Sequence, residues 1–520
     1  MASSIEYLNP IIPGFAPDPS VVFVEDTFYL VNSSFHVFPG LPIYASKDLQ
    51  LWNQIGNAIN RAEQLSLTNA NTDEFSLGPN AMLYAVQGLL APSIRYHNGI
   101  FYVICTNSTS DGTDLNTDSF YVTTTDIWSD KWSDLIHFSF KGIDPSLFFD
   151  DDGRAYIQGS WRAGNVWDPQ CSIRQFEVDI ATGEPLSETK ELWKGIKGSD
   201  AEGPHVYKKD GWYYLLTAEG GTFEHHMITM ARSKNIWGPY ESFEMNPVLT
   251  AFGTEGLIQN TGHGDLFQDG NGQWWAVALG VRNDGGRYPL GRETFLTSVS
   301  WPTEGWPAFE LPKMSFNRAS PSQKAAIKTP LEISARVNDI FIRGQMANSY
   351  NFSENTITLV PSETTLSATT GTSTFLGKRQ RSLDCIATAT LLSSNNDNGT
   401  WKAGLAVYKD NFRHTEIYYD RSISKLCFSS VIGKKGAAKL NQDTSNSEPN
   451  FPISLKIRAT SKMYEFSFQV GDEGEWRTLG MLDTMDITAL DFTGPIFGIF
   501  ASGTAADSER HVQFQDFEVV

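Results

Sequence analysis

Long apolar runs and cysteines are both scarce in this sequence. No stretch of 18 or more apolar residues occurs, which excludes a membrane-spanning helix. The 520 residues include 4 cysteines, and none of them has the Cys-x-x-Cys spacing of a zinc site. Cys105, Cys385 and Cys427 lie in apolar runs, so we expect buried thiols, with a Cys385–Cys427 disulfide as the open alternative.

Basic residues are outnumbered by acidic ones. The sequence has 40 Lys and Arg against 60 Asp and Glu, which gives a formal charge of −20. A surface of this sign repels phosphate backbones and anionic lipid headgroups. We therefore expect neither a nucleic-acid nor a membrane partner, whereas a neutral ligand such as a sugar is not repelled.

The first residues, "MASSIEYLNP", lack a basic segment followed by an apolar one, so the sequence contains no secretory signal. Four Asn-x-Ser/Thr acceptor sites occur, at Asn32, Asn107, Asn351 and Asn398, and such sites are glycosylated in secreted proteins. We expect a secreted protein in its mature form. A cytoplasmic protein is the alternative.

Aromatic residues are abundant, at 12% of the chain, and many of them lie in a repeated pattern. Each repeat has an apolar run, a polar turn and an aromatic-rich run. The five copies read "PDPSVVFVEDTFYLV", "APSIRYHNGIFYVI", "DPSLFFDDDGRAYIQ", "GPHVYKKDGWYYLL" and "HGDLFQDGNGQWWAV". Four of the turns contain Asn-Gly or Asp-Gly, which predict hairpins because type I′ turns need positive φ angles.

The copies recur about every 60 residues, with Tyr29, Tyr102, Tyr156, Tyr214 and Trp275 in equivalent positions. A period of this length, with one hairpin in each unit, is typical of the four-stranded blades of a β-propeller. A two-sheet sandwich would not explain why the same hairpin returns five times. The sequence therefore predicts an all-β fold, with a five-bladed propeller over residues 1–315.

The start of each repeat carries the candidate chemistry. The equivalent residues are Asp18, Ala91, Asp144, Gly203 and His263, and Glu202 lies one position before Gly203. A single Asp-Pro is typical of a turn. The first strands of a propeller converge on its axis, however, so three carboxylates are expected to meet there. Clustered like charges raise pKa values at a cost in free energy, which favours a catalytic site.

Three carboxylates suit the hydrolysis of a glycosidic bond with inversion. One carboxylate deprotonates water and one carboxylic acid protonates the leaving oxygen, and the two groups lie about 6.5–9.5 Å apart. A third carboxylate near the acid would keep that acid protonated by repulsion.

Four segments resemble glycoside hydrolase family 43: "GFAPDPSVVFVEDTFYLVNSSFHVFPGLPIYASKDLQLW", "GIDPSLFFDDDG", "AEGPHVYKKDGWYYLLTAEGGTFEHH" and "PLGRETFLTSVSW". Within the family they look like the two-domain β-xylosidase and α-L-arabinofuranosidase members. The resemblance covers most of residues 9–312. It implies an exo-acting, inverting hydrolase that releases terminal α-L-arabinofuranose or β-D-xylose from arabinoxylan or its oligosaccharides.

The resemblance also implies roles for particular residues. Asp18 would be the general base, Glu202 the general acid, and Asp144 the residue that tunes and orients the acid. Arg292 of "LGRE" looks like the arginine that clamps sugar hydroxyls, and Gly291 beside it would allow a close backbone approach.

Phe35 of "SSFHVFPG" resembles the aromatic wall of the first sugar subsite, although a core Phe is the alternative. His263 resembles a histidine on the propeller axis, often beside water or calcium, although a single His is commonly a hydrogen-bonded core residue. No cofactor is implied for catalysis, and a structural Ca²⁺ near His263 is a further expectation.

Leu90 in "GLLAPS" departs from the family pattern, because xylosidase-type members often have Trp there. The departure indicates room for arabinofuranose side chains. The fructan-cleaving propellers usually carry Asn-Asp-Pro-Asn and Glu-Cys-Pro, in place of the Pro-Asp-Pro-Ser and Ala-Glu-Gly-Pro found here, so that hypothesis is disfavoured. A non-catalytic, lectin-like propeller is the rival from another class.

After the propeller the sequence predicts a linker over residues 316–337, rich in Ser, Ala, Lys and Pro. Short alternating runs in residues 338–520 indicate a β-sandwich, which looks like the jelly-roll accessory domain of longer family members. In those members it can narrow the pocket with a loop. The alternative is a stabilising cap with no contact to substrate, and the oligomeric state is not indicated.

Overall fold

The computed structural model describes residues 4–78, 81–110, 115–162, 171–198, 200–319, 336–392, 399–433, 439–442, 450–471 and 473–520. This part of the chain is all-β, as predicted. It contains two short 3₁₀ helices, Thr484–Ile487 and Ala505–Asp507, and no α-helix. No helix in the described ranges has the length and apolar character needed to cross a bilayer.

Five antiparallel sheets follow one another between Ser20 and Phe309. Sheet 1 contains Ser20–Val24, Thr27–Val31, Gly40–Ser46 and Asn53–Ile59; sheet 2 contains Gly88–His97, Ile100–Ser110, Leu115–Thr124 and Ile136–Phe138; sheet 3 contains Gly142–Phe149, Ala155–Arg162, Cys171–Val178 and Lys190–Trp193. Sheet 4 contains Glu202–Lys209, Trp212–Glu219, Met227–Ser233, Glu241–Ser242 and Leu249–Thr250; sheet 5 contains Ile258–Gln268, Trp274–Arg282, Arg292–Ser300 and Ala308–Phe309.

Each repeated sequence phrase forms the first two strands of one sheet, which confirms the hairpin prediction. The turns have the positive φ angles that their residues favour, for example at Asn98, Gly99, Asp210 and Gly211. The five equivalent aromatic residues lie on the second strands and are all buried. Local turn chemistry and burial of one aromatic residue per hairpin therefore account for the repeat.

The first strand of each sheet contacts the first strand of the next sheet, and the first strand of sheet 5 contacts that of sheet 1. These five strands consequently surround a common axis. Residues at equivalent positions in them are brought close together, although they are far apart in the sequence.

The C-terminal region forms two further antiparallel sheets. Sheet 6 contains Tyr350–Phe352, Ile357–Leu359, Val512–Val519, Cys385–Leu391, Ile453–Ala459, Met463–Val470 and Arg477–Asp483; sheet 7 contains Phe375–Arg379, Ile496–Ser502, Lys402–Asp410, Arg413–Asp420, Lys425–Ile432 and Lys439–Gln442. Ala387 and Leu455 of sheet 6 share one buried cluster with Leu405 and Ile499 of sheet 7. The two sheets thus pack as a sandwich.

Three small sheets join distant parts of the chain. Ser4–Leu8 pairs with Ser315–Ala319, and Val37–Phe38 pairs with Phe341–Ile342. The hairpin of Thr72–Gly78 and Ala81–Val86 pairs in parallel with Leu490–Asp491. Of the predicted linker, residues 316–319 belong to a strand and residues 320–335 lie outside the described ranges. These pairings place the C-terminal region beside sheets 1 and 2.

The structure answers two questions that the sequence left open. All four cysteines are buried free thiols, so Cys385 and Cys427 do not form a disulfide. The Asn32 side chain is fully buried and donates to the Ala16 and Pro17 carbonyls, so this acceptor site is inaccessible to glycosylation in the folded protein. Asn398 lies outside the described residues.

Candidate active site

One pocket lies where the first strands of the five sheets meet. Its volume is about 830 Å³, counting the space at its open mouth. All seven residues singled out from the sequence line it: Asp18, Phe35, Leu90, Asp144, Glu202, His263 and Arg292. Groups from all five sheets therefore share one cavity.

A repeated backbone feature turns these residues toward the pocket. Asp18, Ala91, Asp144, Gly203 and His263 all have left-handed φ angles, between 39° and 55°. At the last four, the pairing register of the strand shifts, as in a β-bulge. Proline follows four of the five and cannot donate to the ladder. Bulges redirect side chains beside active sites. The backbone strain is about 1–3 kcal/mol at each of the four non-glycine residues.

Sheet 4 supplies its carboxylate differently from sheets 1 and 3. Gly203 occupies the equivalent position, and a Cβ atom there would lie 2.9 Å from the His263 ring. No side chain fits at that point, so the carboxylate comes from Glu202, the preceding residue. Its carboxylate accepts a hydrogen bond from Arg162 Nη2 at 3.0 Å.

Asp18 is held as an anion. Its Oδ2 accepts from Ser33 Oγ at 2.6 Å, its Oδ1 accepts from Arg292 Nη1 at 3.2 Å, and His263 Nδ1 lies 4.0 Å from the same Oδ1. Burial raises the pKa of Asp18, but Arg292, His263 and the Ser33 hydroxyl outweigh it, and the net pKa is lowered.

The pKa of Glu202 is raised. Burial is the largest cause, and repulsion from Asp144 adds to it, so that the pKa of Glu202 rises to about 7 despite the attraction of Arg162 and His263. Asp144 accepts from the Gly203 N–H at 3.1 Å, and burial raises its pKa also. Asp18 and Glu202 thus have pKa values shifted in opposite directions within one pocket.

Arg292 connects the acidic cluster to the C-terminal region. Its Nη1 also donates to Thr222 Oγ1 at 3.0 Å, and its Nε donates to the Phe492 carbonyl at 3.0 Å. At the adjacent Gly291, a Cβ would lie 2.0 Å from the Thr493 carbonyl oxygen. The backbone at Gly291 therefore approaches another segment closely, as predicted, and that segment belongs to the C-terminal region.

The apolar side of the pocket includes Phe35, Leu90 and Phe492. Phe35 is fully buried, and its ring centroid lies 5.9 Å from that of Phe492. The Arg292 guanidinium lies 5.5 Å from the centroid of Phe35 and 5.0 Å from that of Phe492. Phe35 is thus both a core residue and a pocket residue, which combines the two predicted alternatives.

A buried ion cluster fixes Asp491, the residue that precedes Phe492. The carboxylate of Asp491 accepts from Lys409 Nζ at 2.7 Å and from Arg413 Nη1 at 2.6 Å, and all three side chains are at most 3% exposed. The C-terminal region therefore contributes a fixed wall to the pocket. This arrangement favours the hypothesis in which that region narrows the pocket over the one in which it is a stabilising cap with no contact to substrate.

The structure does not confirm the predicted calcium site near His263. Calcium prefers six to eight oxygen ligands, whereas the carboxylate nearest to His263 already binds Arg292 and Ser33. Among the residues that the structure describes, no group of three or more His, Cys, Asp or Glu could hold a metal ion.

Sequence reasoning missed Arg162, Thr222 and Phe492. Arg162 ends the second strand of sheet 3, beyond the repeated phrase. Phe492 lies 200 positions after its partner Arg292. No local sequence pattern identifies Phe492 as a pocket residue. These residues are found only when the strands are assembled.

The chain matches two family models. Residues 7–307 match the model described as glycosyl hydrolases family 43, and residues 340–520 match the β-xylosidase C-terminal concanavalin A-like domain. It is similar to a non-reducing end α-L-arabinofuranosidase of Bacteroides ovatus, at 33% identity over 98% of this chain and 94% of the relative. It is also similar to a xylosidase/arabinosidase of Butyrivibrio fibrisolvens, at 32% identity over 98% of each chain.

Solved structures agree with these matches. A xylan β-1,4-xylosidase from Bacillus halodurans superimposes with a TM-score of 0.86 at 29% identity, covering 98% of this chain and 100% of that one. A family 43 protein of Bacteroides ovatus from a xyloglucan utilisation locus gives a TM-score of 0.84 at 30% identity, covering 99% and 100%. The chain belongs to glycosyl hydrolases family 43 and is a glycoside hydrolase with a carbohydrate substrate.

Proposed function

We propose that this glycoside hydrolase removes single terminal pentoses, α-L-arabinofuranose or β-D-xylose, from arabinoxylan or its oligosaccharides, with inversion. The observation that carries the proposal is the meeting of three carboxyl groups from three sheets in one pocket, two of them with pKa values shifted in opposite directions. Relatives named as arabinofuranosidase and xylosidase support the pentose. No comparison favours a non-catalytic lectin.

In this proposal Asp18 is the general base. Its lowered pKa keeps it ionised, so that it can accept a proton from the attacking water. Glu202 is the general acid, and its raised pKa keeps a proton available for the leaving oxygen. Asp144 raises the pKa of Glu202 by repulsion. Arg292, Phe35 and Leu90 bind the terminal sugar.

The assignment predicts a pH profile. Activity requires Glu202 protonated, so kcat/KM is expected to fall tenfold per pH unit above about pH 7. It also requires Asp18 ionised, and the lowered pKa of Asp18 places the acidic limb below the ordinary range of an aspartate. Initial rates on an arabinoxylo-oligosaccharide, whose sugar leaving group needs the proton of Glu202, would measure both limbs from pH 3 to pH 9. An alkaline limb unchanged in the Glu202→Gln variant would contradict the assignment.

The substrate is tested by an NMR time course on defined arabinoxylo-oligosaccharides. We expect single pentoses to appear first, with the anomeric configuration opposite to that of the cleaved bond. Retained configuration would contradict the inverting mechanism, and internal fragments would contradict exo action. Binding without any released pentose would support the lectin-like alternative.

We also propose the finer description of the fold. The ring of first strands supports a five-bladed propeller in which sheets 1 to 5 are the blades. The proposed domain limits are residues 1–315, 316–337 and 338–520, and the second domain is proposed to be a jelly roll. Secretion stays a prediction from the sequence.

A further inference from the structure

A hairpin outside the repeated phrases contributes to the pocket. Its strands are Thr72–Gly78 and Ala81–Val86, and it lies between sheets 1 and 2. Asp73, Ala85 and Val86 of this hairpin, followed by Gln87, line the same pocket as the three carboxyl groups. The proposed catalytic roles make no use of Asp73 or Gln87.

Asp73 is oriented by Gln87. The Gln87 side chain is 6% exposed; its Nε2 donates to Asp73 Oδ2 at 2.9 Å, and its Oε1 accepts from the Asn71 N–H at 3.3 Å. Both ends of the amide are therefore fixed. Within the described ranges, no hydrogen bond or ion pair occupies the other carboxylate oxygen, Oδ1 of Asp73. An oriented carboxylate with a free acceptor atom faces the pocket.

The hairpin itself is anchored. Leu490–Asp491 pairs in parallel with Leu83 and Tyr84, and the Tyr84 hydroxyl donates to Glu74 Oε1 at 3.1 Å. The Asp491 carboxylate is fixed by Lys409 and Arg413. The hairpin that carries Asp73 is therefore fixed by its pairing with Leu490–Asp491 and by the Tyr84–Glu74 hydrogen bond between its own two strands.

Asp73 and Gln87 line the pocket from outside the five first strands that surround the axis. Ala91 is the axial residue of sheet 2, and Gln87 lies four residues before it, a reach of up to about 14 Å. Ser108, which is 4% exposed and also lines the pocket, pairs with Gly88. Its hydroxyl makes no hydrogen bond to a described residue. Asp73 is not among the main causes of the pKa shifts of Asp18, Asp144 or Glu202.

We propose that Asp73, oriented by Gln87, and Ser108 form the subsite for the second sugar, on the leaving-group side of the cleaved bond. The carboxylate oxygen accepts a hydrogen bond from a hydroxyl of that sugar, and the Ser108 hydroxyl makes a second one. This inference rests on the proposed function, because it assumes a pentose bound at the carboxyl cluster. It makes the enzyme selective for a sugar leaving group over an aryl one.

The test compares two substrates with the same terminal pentose. One is an oligosaccharide, and the other is a 4-nitrophenyl pentoside, whose leaving group has no hydroxyls to bind. For Asp73→Asn we expect the ratio of kcat/KM on the oligosaccharide to kcat/KM on the aryl pentoside to fall about tenfold or more, as for a lost hydrogen bond to a charged group. Ser108→Ala is expected to lower the same ratio less.

Glu74→Gln is the matched control. It removes the same charge from the adjacent residue of the same strand, whose side chain does not line the pocket, and it is expected to leave the ratio unchanged. A ratio unchanged in both Asp73→Asn and Ser108→Ala would overturn the subsite, as would a proportional loss on both substrates. A wild-type enzyme that releases pentose from neither substrate would instead overturn the proposed function.

Discussion

Replacement of Glu202 by Gln is expected to lower kcat/KM on an arabinoxylo-oligosaccharide by about 10²–10⁴-fold, the usual contribution of a general acid. A sugar alkoxide is a poor leaving group and needs a proton as the bond breaks. Glutamine keeps the shape of the side chain and the contact with Arg162, but it has no proton to give. Binding of the released pentose, measured by calorimetry, is expected to survive.

The leaving group provides the sharper readout. A 2,4-dinitrophenyl pentoside departs as a stable anion without protonation, so Glu202→Gln is expected to lose far less activity on it than on the oligosaccharide. Asp18→Asn should lose activity equally on both substrates, because water must be activated in each case. Equal losses on both substrates for Glu202→Gln would contradict its role as the acid.

Glu177→Gln is the matched control for this experiment. Glu177 also lies near an arginine, with 3.8 Å to Arg154, but on the third strand of sheet 3 and outside the pocket. Its replacement removes a comparable charge and is expected to leave hydrolysis within twofold of wild type. A large loss in this variant would indicate that charge removal alone disturbs the enzyme.

Much of the propeller-like region could be predicted because its information is local. Four of the five hairpins are marked by an Asn-Gly or Asp-Gly turn, and all five have a buried aromatic residue on the second strand. The carboxylates could be found because Asp18 and Asp144 occupy the same position before proline in their repeats. Even the exception at Glu202 is explicable, since the His263 ring leaves no room for a side chain at Gly203.

The rest of the pocket could not be predicted because it depends on pairing between distant segments. Phe492 follows Leu490–Asp491, which pairs in parallel with the hairpin after sheet 1, and its carbonyl accepts from Arg292. Asp73 lies on another strand of the same small sheet and reaches the pocket from there. A parallel pair between residues about 400 positions apart has no turn or local period that would reveal it. The linker and domain limits stay predictions for a similar reason.

Replacement of Asp265 by Ala is expected to destabilise the fold by about 3–5 kcal/mol, the cost of leaving a buried charge unpaired. Asp265 is fully buried on the first strand of sheet 5. Its carboxylate accepts from Ser20 Oγ at 2.7 Å on sheet 1, from Arg95 Nη1 at 2.8 Å on sheet 2, and from the Tyr207 hydroxyl at 2.6 Å on sheet 4. One side chain therefore joins the axial strands of four sheets.

Thermal unfolding would show the loss as a fall in Tm of about 3–8 °C. Asp151→Ala is the control, because its carboxylate is 85% exposed beside Lys208 and exposed pairs contribute at most about 1 kcal/mol. Burial raises the pKa of Asp265, but Arg95, His205 and its hydroxyl partners outweigh it and lower the pKa to about 2. Its stabilisation should therefore be complete above about pH 4 and disappear between about pH 4 and pH 2.

A double-mutant cycle separates the contribution of the buried Arg95–Asp265 ion pair to the free energy of unfolding from the effect of removing side-chain volume. Arg95→Met alone leaves Asp265 without its cation, and Asp265→Ala alone leaves Arg95 without its anion. When both are replaced, no unpaired charge remains, so the double variant is expected to lose less free energy of unfolding than the sum of the two single variants. Additive losses in urea unfolding would mean that packing around the axis, rather than this ion pair, holds the five first strands together.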